Sequence, residues 1–423
     1  MVKELADNAL DAAGGAAVVE LDDGSYVVQD VGPGIPGTDE EIAALFSIRR
    51  PLTSSKLVRL PTRGAMGNGL RVVAGAVMAS GGRLVVTTGG RTLTLCPQDD
   101  GGTAIVNCSP SPNRSPGTRI EVSLGDTVPA DPDPLIWAEV AIAFADGGTR
   151  YKGKTSGWWY DADTFFELCS AAGERTVREV VEGMDGCTGA KAGEVAAGFA
   201  GRRAADISRD EASRLLGEIR ARSREVKPSR LGYIGDIDGY VRGKVEGVRG
   251  RDGGRGGPAA RVPFVVEAFA KVQDADSVMV LVNRSPITGE VSVWRGDGDT
   301  AKIILAGCGL NHNIKVGRRK LGLVVNVTTP YMPVVSGGKA PDLSEFVEAI
   351  ASAVITAARR AKALAGKGAG KLTTKDIIVR NLPLAVAKAS GDGQYRYSIR
   401  QLFYARQPAG AGGGSDDQLP VVL

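Results

Sequence analysis

Three polar side chains near the start of the chain have a spacing that would bring them to one surface. Glu4, Asn8 and Asp11 are four and three positions apart, so a helix would place all three on one face. A carboxylate, an amide oxygen and a second carboxylate are hard oxygen ligands of the kind that Mg²⁺ prefers. The same pattern is typical of a solvated helix face, so these residues alone leave both interpretations open.

Three glycine-rich stretches follow in an order that favours the chemical interpretation. Residues 30–35 (DVGPGI) follow a strand-like run, residues 63–70 (RGAMGNGL) lead into an apolar helix, and residues 117–124 (GTRIEVSL) open an alternating strand. Glycine turns let a flat ligand approach the backbone, and glycines that open a helix present N–H groups to phosphates. One such cluster usually means a turn. Four elements in this order predict a nucleotide site.

The four stretches resemble the N box and the three glycine boxes of the GHKL ATPases, the superfamily of gyrase, the heat-shock chaperones, histidine kinases and MutL. The resemblance implies ATP as the nucleotide, Glu4 as the general base that activates water, and Asn8 as the Mg²⁺ ligand. It also implies that Asp30 accepts the adenine amino group. The implied nucleotide-binding residues are Asn8, Asp11, Asp30, Gly32, Gly34, Ile35, Lys56, Gly64, Met66, Gly67, Asn68, Gly69, Leu70 and Thr118, with a solvated loop lysine as the alternative for Lys56.

Length and composition predict a multidomain protein without a membrane span. The 423 residues exceed one typical domain, and a hydrophobic fraction of 43% is ample for real cores. The net charge of +4 neither requires nor excludes nucleic acid. Five cysteines without C-x-x-C spacing indicate reduced thiols. No signal peptide and no apolar run of about 20 residues is present, so we expect a cytoplasmic protein with no membrane partner.

Residues 1–125 predict the first domain, an α+β sandwich in which helices cover one face of an antiparallel sheet. The predicted strands span 18–21, 26–29, 83–88, 92–95, 103–107 and 118–124, and the later helices span 39–47 and 70–79. The resemblance makes this a GHKL (Bergerat) fold, with residues 47–69 as a lid over the nucleotide. Related proteins carry a further helix and an arm before the N box. Because Met1 almost adjoins Glu4, these are expected to be absent or to lie upstream.

Residues 126–226 predict a mostly helical domain. Helical patterns span 161–172, 176–184, 190–199 and 208–222, and Ser208 with Glu211 forms a capping box at the start of the last. Residues 136–145 and 158–160 fit a strand or a surface insertion. The short helices resemble the helix-two-turns-helix module of topoisomerase VI B subunits, with a plain helical linker as the alternative.

Residues 227–365 predict a second α+β domain that resembles the transducer domain of topoisomerase VI B. Strand patterns span 262–273, 277–282, 302–305 and 321–329, a long helix spans 347–364, and residues 247–257 are expected to form a mobile Gly/Arg loop. The resemblance rests on residues 282–287 (VNRSPI) and 333–339 (PVVSGGK). It implies that Lys339 reaches the terminal phosphate of ATP, which would link hydrolysis to domain rotation. An exposed loop lysine is the alternative.

Residues 366–423 predict a linker followed by a segment similar to an A subunit. Residues 396–404 (RYSIRQLFY) resemble the start of the winged-helix region of topoisomerase VI A, where Tyr404 would be a candidate DNA-linking nucleophile. The alternative is an amphipathic helix in which Phe403 and Tyr404 only pack. No Toprim-like acidic cluster follows. The expectation is therefore a fused B–A topoisomerase of the topoisomerase VIII kind, cut short, that does not cleave DNA alone.

Together the resemblances predict the ATP-binding and hydrolysing subunit of a type IIB DNA topoisomerase, with ATP and Mg²⁺ as cofactors. The expected partners are double-stranded DNA, an A-type Toprim and winged-helix subunit, and a second copy in an ATP-dependent homodimer. The alternatives are a GHKL clamp or chaperone of the MutL kind without strand passage, and an ATP-binding interaction module that does not hydrolyse. Candidate DNA contacts, or else solvated faces, are Lys315, Arg318, Arg319, Lys320, Arg359, Arg360 and Lys362.

Overall fold

A six-stranded antiparallel sheet forms in the first third of the chain, as a computed structural model shows, and its strand 118–123 alternates buried and half-buried residues. The structure describes residues 1–364 except 14, 22–23, 50–56, 64–68, 112–115, 128–134, 252–258, 288–290, 297–299 and 336–339, and beyond them only 365–366, 386–387, 390 and 394. The strands are β1 (Ala17–Glu20), β2 (Tyr26–Gln29), β3 (Arg83–Thr88), β4 (Arg91–Pro97), β5 (Thr103–Pro110) and β6 (Thr118–Ser123), in the order β1-β2-β6-β3-β4-β5.

Three helices cover one face of this sheet, namely α1 (Val2–Ala13), α2 (Asp39–Leu45) and α3 (Gly69–Ser80). Val86 and Ile120 turn toward the helices and are buried, whereas Arg119 and Glu121 turn to the other face and are half-buried. This alternation places the hydrophobic core between the sheet and the helices. The predicted mixed α+β class with antiparallel sheets is confirmed.

The next part of the chain is helical around a core that contains Trp159, Tyr160 and Phe165. The capping box of Ser208 and Glu211 forms as predicted, with both reciprocal hydrogen bonds present. The helices are α4 (Ile136–Ala143), α5 (Ala162–Ser170), α6 (Val177–Glu182), α7 (Ala190–Val195) and α8 (Arg209–Arg222).

Residues 136–143 form the helix α4 rather than the strand or surface insertion that was expected. The segment is apolar along nearly its whole length, and such a run does not distinguish a helix from a strand. Packing decides, because Ala138 joins the core of the first sheet and Ala141 lies against Leu10 of α1. Residues 157–159 are a single buried 3₁₀ turn.

The following part contains a second, five-stranded sheet in the order β12-β11-β16-β10-β9, a three-stranded sheet β13-β14-β15, and a short β7–β8 pair. Neighbouring strands are antiparallel except β11 and β16, which are parallel. The strands are β7 (Thr149–Arg150), β8 (Gly232–Tyr233), β9 (Val241–Arg251), β10 (Ala260–Val272), β11 (Ser277–Val282), β12 (Ser285–Pro286), β13 (Ser292–Trp294), β14 (Lys302–Gly307), β15 (Leu310–Lys315) and β16 (Leu321–Thr328), and the long helix is α9 (Val347–Gly366).

The expectation of a mobile loop from residue 247 is wrong for residues 247–251, which continue β9 in register with β10. Glycine is tolerated in β9 because neighbouring groups occupy the space that a side chain would fill at two of its positions. A Cβ atom at Gly243 would lie 2.1 Å from the carbonyl oxygen of Ala353 in α9, and one at Gly247 would lie 2.4 Å from the ring of Phe264. Residues 252–258 lie outside the described residues.

Contacts along the chain separate residues 1–364 from residues 365–423 as two units. The boundaries predicted within the first unit, at 125 and 226, stay predictions. Tyr404 and the rest of the segment similar to an A subunit lie outside the described residues. Within the described chain, every helix is too short or too polar to cross a membrane.

Candidate functional site

The polar face predicted for the first helix is present on α1. The helix buries Leu5 and Leu10 and turns Asn8 and Asp11 to solvent, while the side chain of Glu4 is 25% exposed. Within the described part of the chain, the Asn8 amide makes no hydrogen bond, so it is available to a ligand. Asp11 differs, because its Oδ1 accepts the backbone N–H of Arg63 at 3.2 Å.

The first residue of α3 lies directly against this face. A Cβ atom at Gly69 would be 2.9 Å from Oε2 of Glu4 and 3.6 Å from Nδ2 of Asn8. Glycine therefore allows the start of α3 to approach both side chains, and Leu70 continues into the hydrophobic core. The first N–H groups of a helix and the positive end of its dipole favour phosphate groups. Of the second glycine box, Gly64, Met66, Gly67 and Asn68 lie outside the described residues.

The first and third glycine boxes meet at Asp30, which follows β2. Oδ1 of this buried carboxylate accepts the backbone N–H of Gly32 at 2.7 Å and that of Thr118 at 3.3 Å. The N–H of Asp30 in turn donates to the carbonyl of Thr118 at 2.9 Å. Within the described chain, Oδ2 accepts no hydrogen bond. One oxygen thus fixes the carboxylate, and the other is left to accept a donor such as an exocyclic amino group.

Thr88, which the sequence analysis did not select, joins the two boxes. Its Oγ1 accepts the N–H of Ile35 at 2.8 Å and lies 3.4 Å from Oγ1 of Thr118. Gly34 has φ +81°, and a Cβ atom there would be 2.9 Å from the same hydroxyl. A threonine at the end of a strand is common, so no local signal in the sequence marks this role.

Gly117 is expected to be essential to this arrangement. It has φ +108°, and a Cβ atom would lie 2.0 Å from the carbonyl oxygen of Asp30. Gly117→Ala should therefore lower the free energy of unfolding by about 2–3 kcal/mol, through backbone strain and displacement of Asp30. ATP affinity should fall at the same time. Urea unfolding and a nucleotide-binding titration measure the two effects.

Gly89→Ala is the matched control for Gly117→Ala. Gly89 also has a positive φ, +57°, but nothing lies within 4 Å of a Cβ atom there. This variant should lose only about 1 kcal/mol and bind ATP normally. Equal losses of ATP affinity in the two variants would contradict the role given to Gly117.

A cavity of about 370 Å³ opens on the outer face of the sheet, and Asp30, Thr88 and Thr118 form part of its wall. Its walls come largely from outward-facing side chains, including Arg83 and the ion pair of Arg119 with Glu121 at 2.8 Å. Neither Glu4 nor Asn8 lines it. This cavity is therefore distinct from the face formed by α1 and the start of α3.

Residues 57–63, the longest described part of the predicted lid, are anchored to the helical part of the chain. Arg59 is 3% exposed, its N–H donates to the hydroxyl of Tyr160 at 2.7 Å, and that hydroxyl donates to the carbonyl of Leu57 at 2.9 Å. The Arg59 guanidinium also lies over the rings of Tyr160 and Tyr331, at 5.0 and 4.3 Å. Segment 57–63 is thus fixed between the helical core and the chain that leads to residue 339. Lys56 and Lys339 themselves lie outside the described residues.

The residues around Asn8 fit a metal ion that arrives with a nucleotide. Among the described residues, no group of three or more His, Cys, Asp or Glu side chains is arranged to hold a metal. Mg²⁺ commonly takes one or two protein ligands and completes its shell with phosphates and water. The solvent-exposed Asn8 amide beside Glu4 and the start of α3 matches that mode of binding.

A buried charged cluster behind the polar face of α1 was not anticipated. Asp7 is 1% exposed and lies 2.9 Å from Lys3 Nζ and 3.9 Å from Arg63 Nε. Lys3 Nζ is also 3.1 Å from Glu4 Oε1. Burial alone would lower the pKa of Lys3, but the carboxylates of Asp7 and Glu4 outweigh it and raise that pKa. Lys3 is therefore a fixed cation between the two carboxylates.

The turn at residues 283–285 connects this cluster to the second sheet. Ser285 Oγ donates to Asp7 Oδ2 at 2.6 Å, and Asn283 Nδ2 donates to the carbonyl of Thr62 at 2.9 Å. Between them, Arg284 is 7% exposed, and burial is the main cause that lowers its pKa to about 10. Its guanidinium donates to the carbonyls of Gly147 and Thr149 at 2.6 Å, of Tyr233 at 2.8 Å, and of Phe144 and Ala145 at 3.4 Å.

Comparison with known proteins does not assign a family. No family model and no curated protein matches the chain. Solved structures similar to it include the N-terminal domain of a DNA repair protein, with 14% identity, a TM-score of 0.32, and coverage of 86% of this chain and 93% of that one. The 43K ATPase domain of Thermus thermophilus gyrase B in complex with an aminocoumarin shows 16% identity, a TM-score of 0.31, and coverage of 86% and 84%. Likeness at such TM-scores carries no argument, so function has to be inferred from the residues of this chain.

Proposed function

We propose that the chain binds Mg²⁺–ATP as a GHKL-type ATPase and hydrolyses it. Two local groups of motif residues support this proposal, and we take them as the two ends of one nucleotide site. Gly69 brings the start of α3 against Glu4 and Asn8, and Asp30 is held by the backbone of Gly32 and Thr118 with one oxygen left over. The first group suits a triphosphate with its metal, and the second suits an adenine amino group.

Each residue then has a role that its surroundings support. Glu4 takes a proton from the water that attacks the terminal phosphate, since it is partly exposed and lies beside the start of α3. Asn8 holds the Mg²⁺ that accompanies the phosphates and offsets their charge. Asp30 and Thr118 select the base, because a nucleobase without a matching donor leaves Asp30 unpaired. The resemblance adds Lys339 as a further contact to the terminal phosphate.

Within this class, we propose the ATPase subunit of a type IIB DNA topoisomerase. ATP would join two copies around a DNA segment, and an A-type subunit would supply the cleaved duplex. Support comes from residues 283–285, which tie the second sheet to α1 through Ser285 and Asp7. A direct contact of this kind couples the second sheet to α1, which suits an enzyme in which hydrolysis moves a second domain.

A basic surface supports DNA as a partner. Lys315, Arg318, Arg319 and Lys320 are exposed at the turn between β15 and β16. A Cβ atom at Gly317 would be 2.8 Å from Lys362 Nζ, so α9 brings one cation, Lys362, to the same turn. Arg295 fixes the turn by donating to the carbonyls of Gly317 and Arg319, each at 2.8 Å. Preorganised cations at one surface favour contact with phosphates.

Replacing part of this surface should weaken DNA binding in a salt-dependent way. Arg318→Ala with Arg319→Ala removes two exposed cations, so the slope of log affinity against log salt should become less steep by about two. Fluorescence anisotropy of a DNA duplex at several salt concentrations measures this slope. Lys191→Ala with Arg214→Ala, two exposed cations of the helical part, is the matched control and should leave the slope unchanged. The same slope for both double variants would argue that the turn does not contact DNA.

The proposed function is tested by ATP binding and turnover with and without Mg²⁺ and DNA. Mg²⁺-dependent binding and turnover are expected, and Glu4→Ala should abolish turnover while it spares binding. Binding without any turnover, even with DNA present, would favour an interaction module. Supercoil relaxation in the presence of a candidate A-type subunit separates strand passage from a clamp, because a clamp of the MutL kind hydrolyses ATP without changing linking number.

A further inference from the structure

Four side chains form a continuous polar connection from the second sheet to Glu4. Ser285 Oγ donates to Asp7 Oδ2 at 2.6 Å, the same oxygen lies 2.9 Å from Lys3 Nζ, and Lys3 Nζ lies 3.1 Å from Glu4 Oε1. Asp7, Lys3 and Ser285 are 1%, 8% and 4% exposed, respectively. Charged hydrogen bonds in such surroundings are strong and directional.

The buried Asp7 carboxylate is held at Oδ2, whereas its Oδ1 has no hydrogen-bond partner among the described residues. Ser285 and Lys3 share Oδ2, while Arg63 Nε lies 3.9 Å from Oδ1. Because Asp7 cannot turn freely, it keeps the Lys3 ammonium in one place between the two carboxylates. Without its contact to Asp7, the Lys3 ammonium would move together with the Glu4 side chain and would not restrict the position of the Glu4 carboxylate.

Ser285 is in turn held by the turn that carries it. Asn283 and Arg284 have positive φ angles of 49° and 72°, which are uncommon for residues other than glycine. The Arg284 side chain stabilises this backbone through its bonds to carbonyls of residues 144–149 and 233. Asn283 Oδ1 adds a bond from the N–H of Thr329 at 2.9 Å. The position of the Ser285 hydroxyl is therefore set by the second sheet and its supports.

We propose that Ser285, Asp7 and Lys3 are positioning residues that orient the Glu4 carboxylate for hydrolysis. The proposal rests on the proposed ATPase function. None of the three contacts ATP. They act through Glu4, so a displacement of the turn at 283–285 relative to α1 would move the general base and change the rate of hydrolysis. The second sheet thereby controls turnover through a serine hydroxyl.

The test is a double-mutant cycle on steady-state ATP turnover in the full chain. Ser285→Ala should lower kcat roughly tenfold with KM unchanged, because misplacement of a catalytic group affects turnover rather than binding. Ser285→Thr keeps the hydroxyl and should restore most of kcat. Lys3→Met should also lower kcat, and adding Ser285→Ala to it should have no further effect, since the connection to Glu4 is already broken.

Matched measurements separate this proposal from a general loss of structure. Ser292→Ala removes a hydroxyl that donates to a backbone carbonyl in the three-stranded sheet, and it should leave kcat unchanged. If wild type turns over ATP but Ser285→Ala stays within about twofold of it, or if the effects of Ser285→Ala and Lys3→Met multiply, the proposed connection is wrong. If wild type binds ATP without turnover, the ATPase function itself fails, and no base is left for these residues to position.

Discussion

Glu4→Gln should lower ATP turnover about 10²–10⁴-fold, the range for loss of a general base. Glutamine has nearly the same shape as glutamate but does not accept the proton of the attacking water at neutral pH. The affinity for ATP should change little, because the backbone at the start of α3, Asn8 and Asp30 remain in place. Single-turnover hydrolysis and equilibrium binding of ATP, measured on the same preparation, separate the two quantities.

Glu121→Gln is the control for this change. Glu121 lies in β6 of the first sheet, where its carboxylate faces the outer cavity and pairs with Arg119 at 2.8 Å. Its replacement should leave both binding and turnover near wild type. Equal turnover in Glu4→Gln and wild type would remove Glu4 from the reaction, whatever the affinity for ATP.

Arg284→Met should lower the free energy of unfolding by about 3–5 kcal/mol, because each hydrogen bond from a charged donor contributes about 1.5–3 kcal/mol and several are lost together. Methionine matches much of the volume but donates no hydrogen bond, so five carbonyl groups lose a donor. The backbone of residues 283 and 284, which has positive φ, loses its support as well. Urea denaturation followed by tryptophan fluorescence measures the change.

Arg261→Met provides the comparison for Arg284→Met. Arg261 makes an exposed ion pair with Glu225 at 2.7 Å, so its loss should change stability by less than about 1 kcal/mol. Lys at position 284 should not rescue stability, because an ammonium does not span carbonyls placed around a planar guanidinium. Similar unfolding curves for Arg284→Met and Arg261→Met would show that the turn is not a structural junction.

Local patterns in the sequence predicted much of the fold. The capping box of Ser208 and Glu211 opens α8 as expected, and strands such as β2, β3 and β11 follow from β-branched runs bounded by turn residues. The prediction for residues 136–143 was wrong because an apolar run has no period that distinguishes a helix from a strand. The prediction of a mobile loop was wrong for residues 247–251, because pairing with β10 outweighs the low strand propensity of glycine.

The residues of the candidate site also divide into those that local sequence patterns mark and those that only the tertiary fold reveals. Glu4 and Asn8 stand out by their helical spacing and Gly69 by its place at the start of a helix, whereas their proximity was implied only by the resemblance to the GHKL ATPases. The role of Asp7 was not predictable, because its partners Arg63 and Ser285 are distant in sequence. Only the tertiary fold buries Asp7 between them. Thr88 was missed for a related reason: its hydroxyl has a role only because the folded loop at Gly34 and Ile35 places the N–H of Ile35 within hydrogen-bond distance of it.

The central claim is that one nucleotide joins the face of α1 to Asp30. A structure of the chain with Mg²⁺ and a non-hydrolysable ATP analogue tests it most directly. The account predicts the adenine amino group within hydrogen-bond distance of Asp30, Mg²⁺ at Asn8, and the terminal phosphate between Glu4 and the start of α3. An analogue bound instead in the outer cavity beside Arg83 and Arg119, with Glu4 remote from any phosphate, would contradict it.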